Sequence, residues 1–171
     1  MNIHDSNAQN DYENSKNLLV VCGTGRVNIA LVRIAKLIGF TIWLVDNSSG
    51  DNTDEISKLA DKYIKVESYE ADLKKMDIPK NAYLVTSAAD HDMDGEVLTG
   101  VLDKNLAYVG MMASKKTIER LFGELLARGF SQSDLDKIYT PIGIDLGCKT
   151  HEEIALSVMA QIVMVKNGIV M

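Results

Sequence analysis

From Leu18 onward, short runs that are apolar at every position alternate with longer stretches in which apolar residues return every three or four positions. The first pattern suits a strand buried on both faces, and the second a helix that buries one face. Leu18, Leu19, Val20, Val21 and Cys22 form the first run, which Gly23-Thr24-Gly25 interrupts. Val27, Ala30, Leu31, Ile34, Ala35 and Ile38 then recur at helical spacing, predicting a helix over 26–38 with Gly39 as its stop. Further strands are predicted at 41–45, 63–66, 82–85 and 107–109, and helices at 54–60, 69–76, 90–102 and 114–128. A closing helix over 151–167 has the clearest start, because Thr150 and Glu153 stand at capping-box spacing. Ile154, Val158, Ile162 and Val165 supply its buried stripe. This alternation predicts the fold class: α/β, a doubly wound, mostly parallel, Rossmann-like sheet with helices on both faces.

Length and charge narrow the picture. The 171 residues suit one domain. Residues 1–16 are polar with little to bury, so a flexible tail is expected there, and 17–171 should form a single Rossmann-like domain. A formal charge of −6 supplies no broad cationic field, which argues against nucleic acid or a membrane surface as partner. Cys22 and Cys148 lack CxxC spacing, which fits a reducing cytosol and provides no zinc site. The first residues lack the cationic start and apolar stretch of a signal peptide, so a cytoplasmic location is expected.

Four segments carry candidate chemistry. Gly23-Thr24-Gly25-Arg26-Val27-Asn28 falls between a predicted strand and a predicted helix, where a glycine turn and a helix N-terminus cradle a pyrophosphate. Asn28 occupies the place of the fingerprint's third glycine. Asp46 ends the second strand, 21 residues after Gly25, where a carboxylate would accept hydrogen bonds from a ribose. No arginine directly follows it, which favours an NAD-like ligand over an NADP-like one. Asp90-His91-Asp92-Met93-Asp94 follows the fourth strand. Acidic residues in a first helical turn complement the helix dipole without any ligand, so no metal is expected, but Asp90 and His91 lie at the ligand-binding edge of the sheet. Ser114 reads as an N-cap, and Lys115 and Lys116 after it oppose the helix dipole unless an anion sits there. The loop from Thr140 to Gly147 has Asp145 as its charged group and suits either a ligand-covering segment or a simple crossover.

Taken in order, "VCGTGRVNIALVRIAKLIGFTIWLVD", "DHDMDGEVL", "AYVGMMASKK" and "PIGIDLGCKTHEEIALSV" resemble the Rossmann domain of the xanthine dehydrogenase accessory factor family, the XdhC/CoxI type. The resemblance implies a factor that assists maturation of a molybdenum hydroxylase by binding, protecting or inserting the molybdenum cofactor, rather than a catalyst. Gly23, Thr24, Gly25 and Arg26 would then hold a phosphate and Asp46 a ribose, with Asp90, His91, Ser114, Lys115, Lys116 and Asp145 lining the remainder. The expected ligand is an NAD-like dinucleotide or a nucleotide form of the molybdenum cofactor. The expected partners are a molybdenum hydroxylase apoenzyme and a separate cysteine-containing companion module, with a homodimer left open. The alternative is an NAD-dependent oxidoreductase, with His91 moving a proton, or an NAD-sensing regulatory module.

Overall fold

A computed structural model describes residues 17–47, 52–87 and 91–169, with His91 described by its backbone alone. The strands are β1 (Leu18–Cys22), β2 (Thr41–Asp46), β3 (Lys62–Lys65), β4 (Tyr83–Thr86), β5 (Tyr108–Met111) and β6 (Ile138–Tyr139). Between and after them lie α1 (Arg26–Leu37), α2 (Thr53–Leu59), α3 (Tyr69–Lys75), α4 (His91–Val101), α5 (Lys115–Ala127), α6 (Gln132–Leu135) and α7 (His151–Lys166). The strands join in the order β3-β2-β1-β4-β5-β6, and every pairing is parallel. Strand order reverses between β1 and β4, which opens a crevice beyond their C-terminal ends.

Side-chain alternation along the strands divides the core in two. Leu19, Val21, Ile42, Leu44, Tyr83, Val85 and Tyr108 face one layer, covered by α1, α2 and α7. Leu18, Val20, Cys22, Val45, Leu84, Val109 and Met111 face the other, covered by α3, α4, α5 and α6. All five residues of β1 are buried, which is why that segment reads as unbroken apolar sequence. In the second layer α3 and α4 touch closely at Gly100, where a Cβ would come within 2.8 Å of Leu73 Cβ and 3.2 Å of the Tyr69 carbonyl oxygen.

The capping box of α7 forms as its sequence predicts. The Thr150 hydroxyl accepts from Glu153 N–H at 3.2 Å, and the Glu153 carboxylate accepts from the backbone of Thr150 and Lys149 at 3.0 and 2.6 Å. These N–H groups of Lys149 and Thr150 hold the Glu153 carboxyl below its usual range. Val158 and Ile162 of the predicted stripe are buried, while Ile154 and Val165 are half-buried.

Two elements, α6 and β6, lie where no strand or helix is predicted. A two-residue strand has no periodicity to read. Its formation depends on pairing with β5, Val109 with Ile138 and Gly110 with Tyr139, and on the Tyr139 ring stacking on Tyr108 at 4.5 Å. The expected tail, 1–16, lies outside the described residues.

Candidate functional site

The crevice begins at the turn between β1 and α1. Gly23 has φ +98°, a conformation that L side chains rarely adopt, and its N–H donates to Val45 carbonyl oxygen at 3.0 Å. Gly25 is different. It caps α1 with φ −65°, and among the described residues a Cβ there would meet nothing closer than the Ser87 carbonyl oxygen at 3.9 Å. The described residues therefore leave room for a side chain at Gly25.

The start of α1 has neither a side-chain cap nor an acidic residue in its first turn. The N–H groups of Thr24, Gly25, Arg26 and Val27 meet no acceptor among the described residues. Arg26 is exposed and forms no ion pair among them. Unfilled donors, the positive end of a helix dipole and a guanidinium at one point are the chemistry that holds a phosphate.

The far side of the β1 end is a buried polar cluster. Asp46 is only 2% exposed, and the Tyr69 hydroxyl donates to its Oδ1 at 3.4 Å. The carboxylate thus stands at the expected strand end but is directed into the fold, toward Tyr69. Burial, followed by the nearby Cys22 and Asp46, pushes the Tyr69 hydroxyl far above its ordinary range. Burial likewise pushes the Cys22 thiol far up, with Asp94 and then Asp46 adding to the effect. Asp94 turns inward from α4, is 1% exposed, and accepts from the Thr86 hydroxyl at 2.6 Å.

Of the acidic segment after β4, Asp90 and the His91 side chain lie outside the described residues. Asp92 is exposed and pairs with Arg120 at 3.1 Å. Among the described residues, no group of three or more His, Cys, Asp or Glu side chains is placed to hold a metal ion.

Beyond β5, Ser114 caps α5 by accepting from Thr117 N–H at 3.2 Å. Lys115 and Lys116 follow it, exposed and without an ion pair among the described residues. They stand at the same sheet edge as the glycine turn, two strands away across the reversal point.

The loop after β6 is fastened to α7. Gln161 accepts from Gly143 N–H at 2.9 Å and from the Tyr108 hydroxyl at 2.5 Å, and donates to the Gly143 carbonyl at 3.3 Å. Asp145 is exposed, and its Oδ1 accepts from Gly147 N–H at 3.1 Å. Beside it a largely apolar groove of about 470 Å³ runs between the loop and α7. Cys148 lines that groove, with its Sγ donating to the Glu153 carbonyl at 3.2 Å.

The structure therefore gathers Gly23, Thr24, Gly25 and Arg26 into one turn, and sets Lys115 and Lys116 apart from it along the same edge. Tyr69 and Gln161 make buried polar contacts that no motif in the sequence marks, Gln161 standing out only as an amide within an apolar helix. Asn28 departs from the fingerprint at its third glycine, and the structure buries it.

A fully parallel sheet in this strand order, with a glycine turn at the point of reversal, defines the Rossmann class of α/β domains. More narrowly, the chain belongs to the XdhC family: the XdhC Rossmann domain matches residues 19–162. It is 31% identical over 151 residues to "Uncharacterized protein YqeB" of Escherichia coli (strain K12), covering 88% of this chain and 27% of that protein. It is 24% identical to a probable xanthine dehydrogenase subunit of Bacillus subtilis (strain 168), covering 88% of this chain and 43% of that protein. Among solved structures, a xanthine dehydrogenase from Bacillus halodurans superposes with a TM-score of 0.74 at 25% identity, over 89% of this chain and 43% of the other. The chain thus spans less than half the length of each of these relatives.

Proposed function

We propose that this chain is a nucleotide- or cofactor-binding accessory module in the maturation of a molybdenum hydroxylase. One observation carries the binding half of this reading: the uncapped start of α1 at the strand reversal, with a glycine at position 25, where a Cβ would meet no described residue closer than 3.9 Å. Family membership and relatives named for xanthine dehydrogenase support the other half. The ligand is a nucleotide carrying a pyrophosphate, either an NAD-like dinucleotide or a nucleotide form of the molybdenum cofactor. The N–H groups from Thr24 to Val27 and the Arg26 guanidinium would hold the pyrophosphate, and Lys115 and Lys116 would meet anionic groups further along the edge.

A binding role fits these residues better than sulfur chemistry does. Cys22 is sealed in the core with its thiol held protonated, and Cys148 lies at the loop groove, with its Sγ donating to the Glu153 carbonyl. A companion module bearing cysteines would supply any sulfur transfer to the cofactor, and the apoenzyme would receive the product. Among the described residues no helix is long and apolar enough to cross a membrane.

Calorimetry of the protein against NAD, ADP-ribose, CTP and a molybdopterin source tests the ligand. Binding of at least one pyrophosphate-bearing nucleotide is expected, and failure of all of them would remove the premise. In cells, deletion should leave a molybdenum hydroxylase folded but short of active cofactor. Full hydroxylase activity in the deletion strain would refute the maturation role.

A further inference from the structure

The glycine turn contains a lock at the position where the fingerprint would carry its third glycine. Asn28 is completely buried. Its Nδ2 donates to the carbonyl oxygens of Gly23 at 3.0 Å and Cys22 at 3.3 Å. Two acceptors on one side fix the amide's orientation, because the flipped amide would set an oxygen against two oxygens. Its Oδ1 is left buried without a partner among the described residues. That is an energetic cost, and local rules of this kind are broken where function requires it.

Resting on the nucleotide-binding role proposed above, we infer that Asn28 is a positioning residue: it holds the Cys22 and Gly23 carbonyls inward and thereby turns the Thr24 N–H outward as a donor to the pyrophosphate. In a trans peptide the carbonyl and the following N–H point in opposite directions. The Cys22–Gly23 peptide obeys this: its carbonyl accepts from Ser87 N–H at 3.2 Å on the β4 side, and its N–H reaches Val45 at 3.0 Å on the β2 side. The Gly23–Thr24 peptide must do the same. Its carbonyl is drawn to Asn28, so the Thr24 N–H faces away, where no described residue accepts it. Gly23 has no Cβ to restrict rotation of that peptide, so the Asn28 amide supplies the restraint. The Arg26 and Val27 N–H groups need no such help, because the helix itself sets their direction.

The test is amide NMR on the full chain, with inorganic pyrophosphate as probe and residual dipolar couplings reporting the direction of the Thr24 N–H. In the wild type the Thr24 resonance should move on titration. In Asn28→Ala its vector should reorient in the free protein, its response should disappear, and affinity should fall about tenfold. Amides of Val20 and Leu84 should stay in place, which separates a local effect from a damaged sheet. Asn28→Ser, which keeps one donor, should recover part of the response. An unchanged Thr24 vector in both variants would overturn the inference. So would rapid solvent exchange of the Asn28 side-chain protons in the wild type, a measurement that needs no variant. A reoriented vector in a protein that binds no pyrophosphate would refute the nucleotide-binding role and leave the lock standing.

Discussion

The side-chain amide of Gln161 pairs with both backbone groups of Gly143, accepting from its N–H at 2.9 Å and donating to its carbonyl at 3.3 Å. The pair fixes the loop after β6 against α7, in the manner of one rung of a sheet. Gly143 is suited to the contact twice over, since its φ is +88° and a Cβ there would collide with the Ser157 hydroxyl oxygen.

Replacing Gln161 with leucine would strand Gly143 N–H and the buried Tyr108 hydroxyl, which shares the same acceptor. The expected loss of stability is about 2–3 kcal/mol. A urea denaturation midpoint equal to that of the wild type would show that the loop is not held this way.

The two glycines of the turn should respond differently to alanine. Gly23→Ala forces a side chain into a positive-φ conformation and should cost about 1–3 kcal/mol. Gly25→Ala meets no clash among the described residues and should cost under about 1 kcal/mol, chiefly as a poorer cap. It should nevertheless abolish nucleotide binding by filling the path to the backbone donors. Thermal denaturation combined with calorimetry distinguishes the pair, and a Gly25→Ala protein that binds as well as the wild type would remove Gly25 from the site.

Thiol labelling of the native protein should modify Cys148 and spare Cys22. Cys148 is partly accessible at the groove, whereas Cys22 is fully buried and its ionisation is opposed by burial and by two neighbouring carboxylates. Mass spectrometry after brief alkylation reads the outcome, and early labelling at Cys22 would contradict the sealed core around β1.

Asp61 should contribute a modest, pH-dependent stability. Its burial raises the carboxyl, but Lys36 at 2.5 Å and Ile42 N–H at 2.8 Å outweigh that and hold it below its ordinary range. A depressed folded-state pKa stabilises at pH above the unfolded value and is lost as pH falls through the folded one. Asp61→Asn should therefore be less stable than wild type at neutral pH, by under about 1 kcal/mol for a pair this exposed. The difference should shrink below about pH 4. A difference that grows on acidification would reverse the assignment.

How much of this was legible beforehand follows from the length scale of each signal. β1 and α7 were readable because burial on both faces and a capping box act over neighbouring residues. β6 was not, because it exists through β5 and the Tyr108–Tyr139 stack. Gly23, Thr24, Gly25 and Arg26 are contiguous between a strand and a helix, so the turn they form is local and its place in the fold is legible in the sequence. Asp46 was found at the right strand end, but its burial and its bond to Tyr69 depend on α3, 23 residues further along the chain.

The alternation of strands and helices, the glycine turn and the family are each written in contiguous residues, and so could be read without coordinates. Which polar groups face inward could not, because that depends on packing. Asp46 and Gln161 are both buried, and each is held by a partner from a distant segment, Tyr69 for the first and Gly143 and Tyr108 for the second. A side chain's chemistry is set by its own atoms, but its exposure and its hydrogen-bond partners are set by chain segments that meet only once the fold has formed.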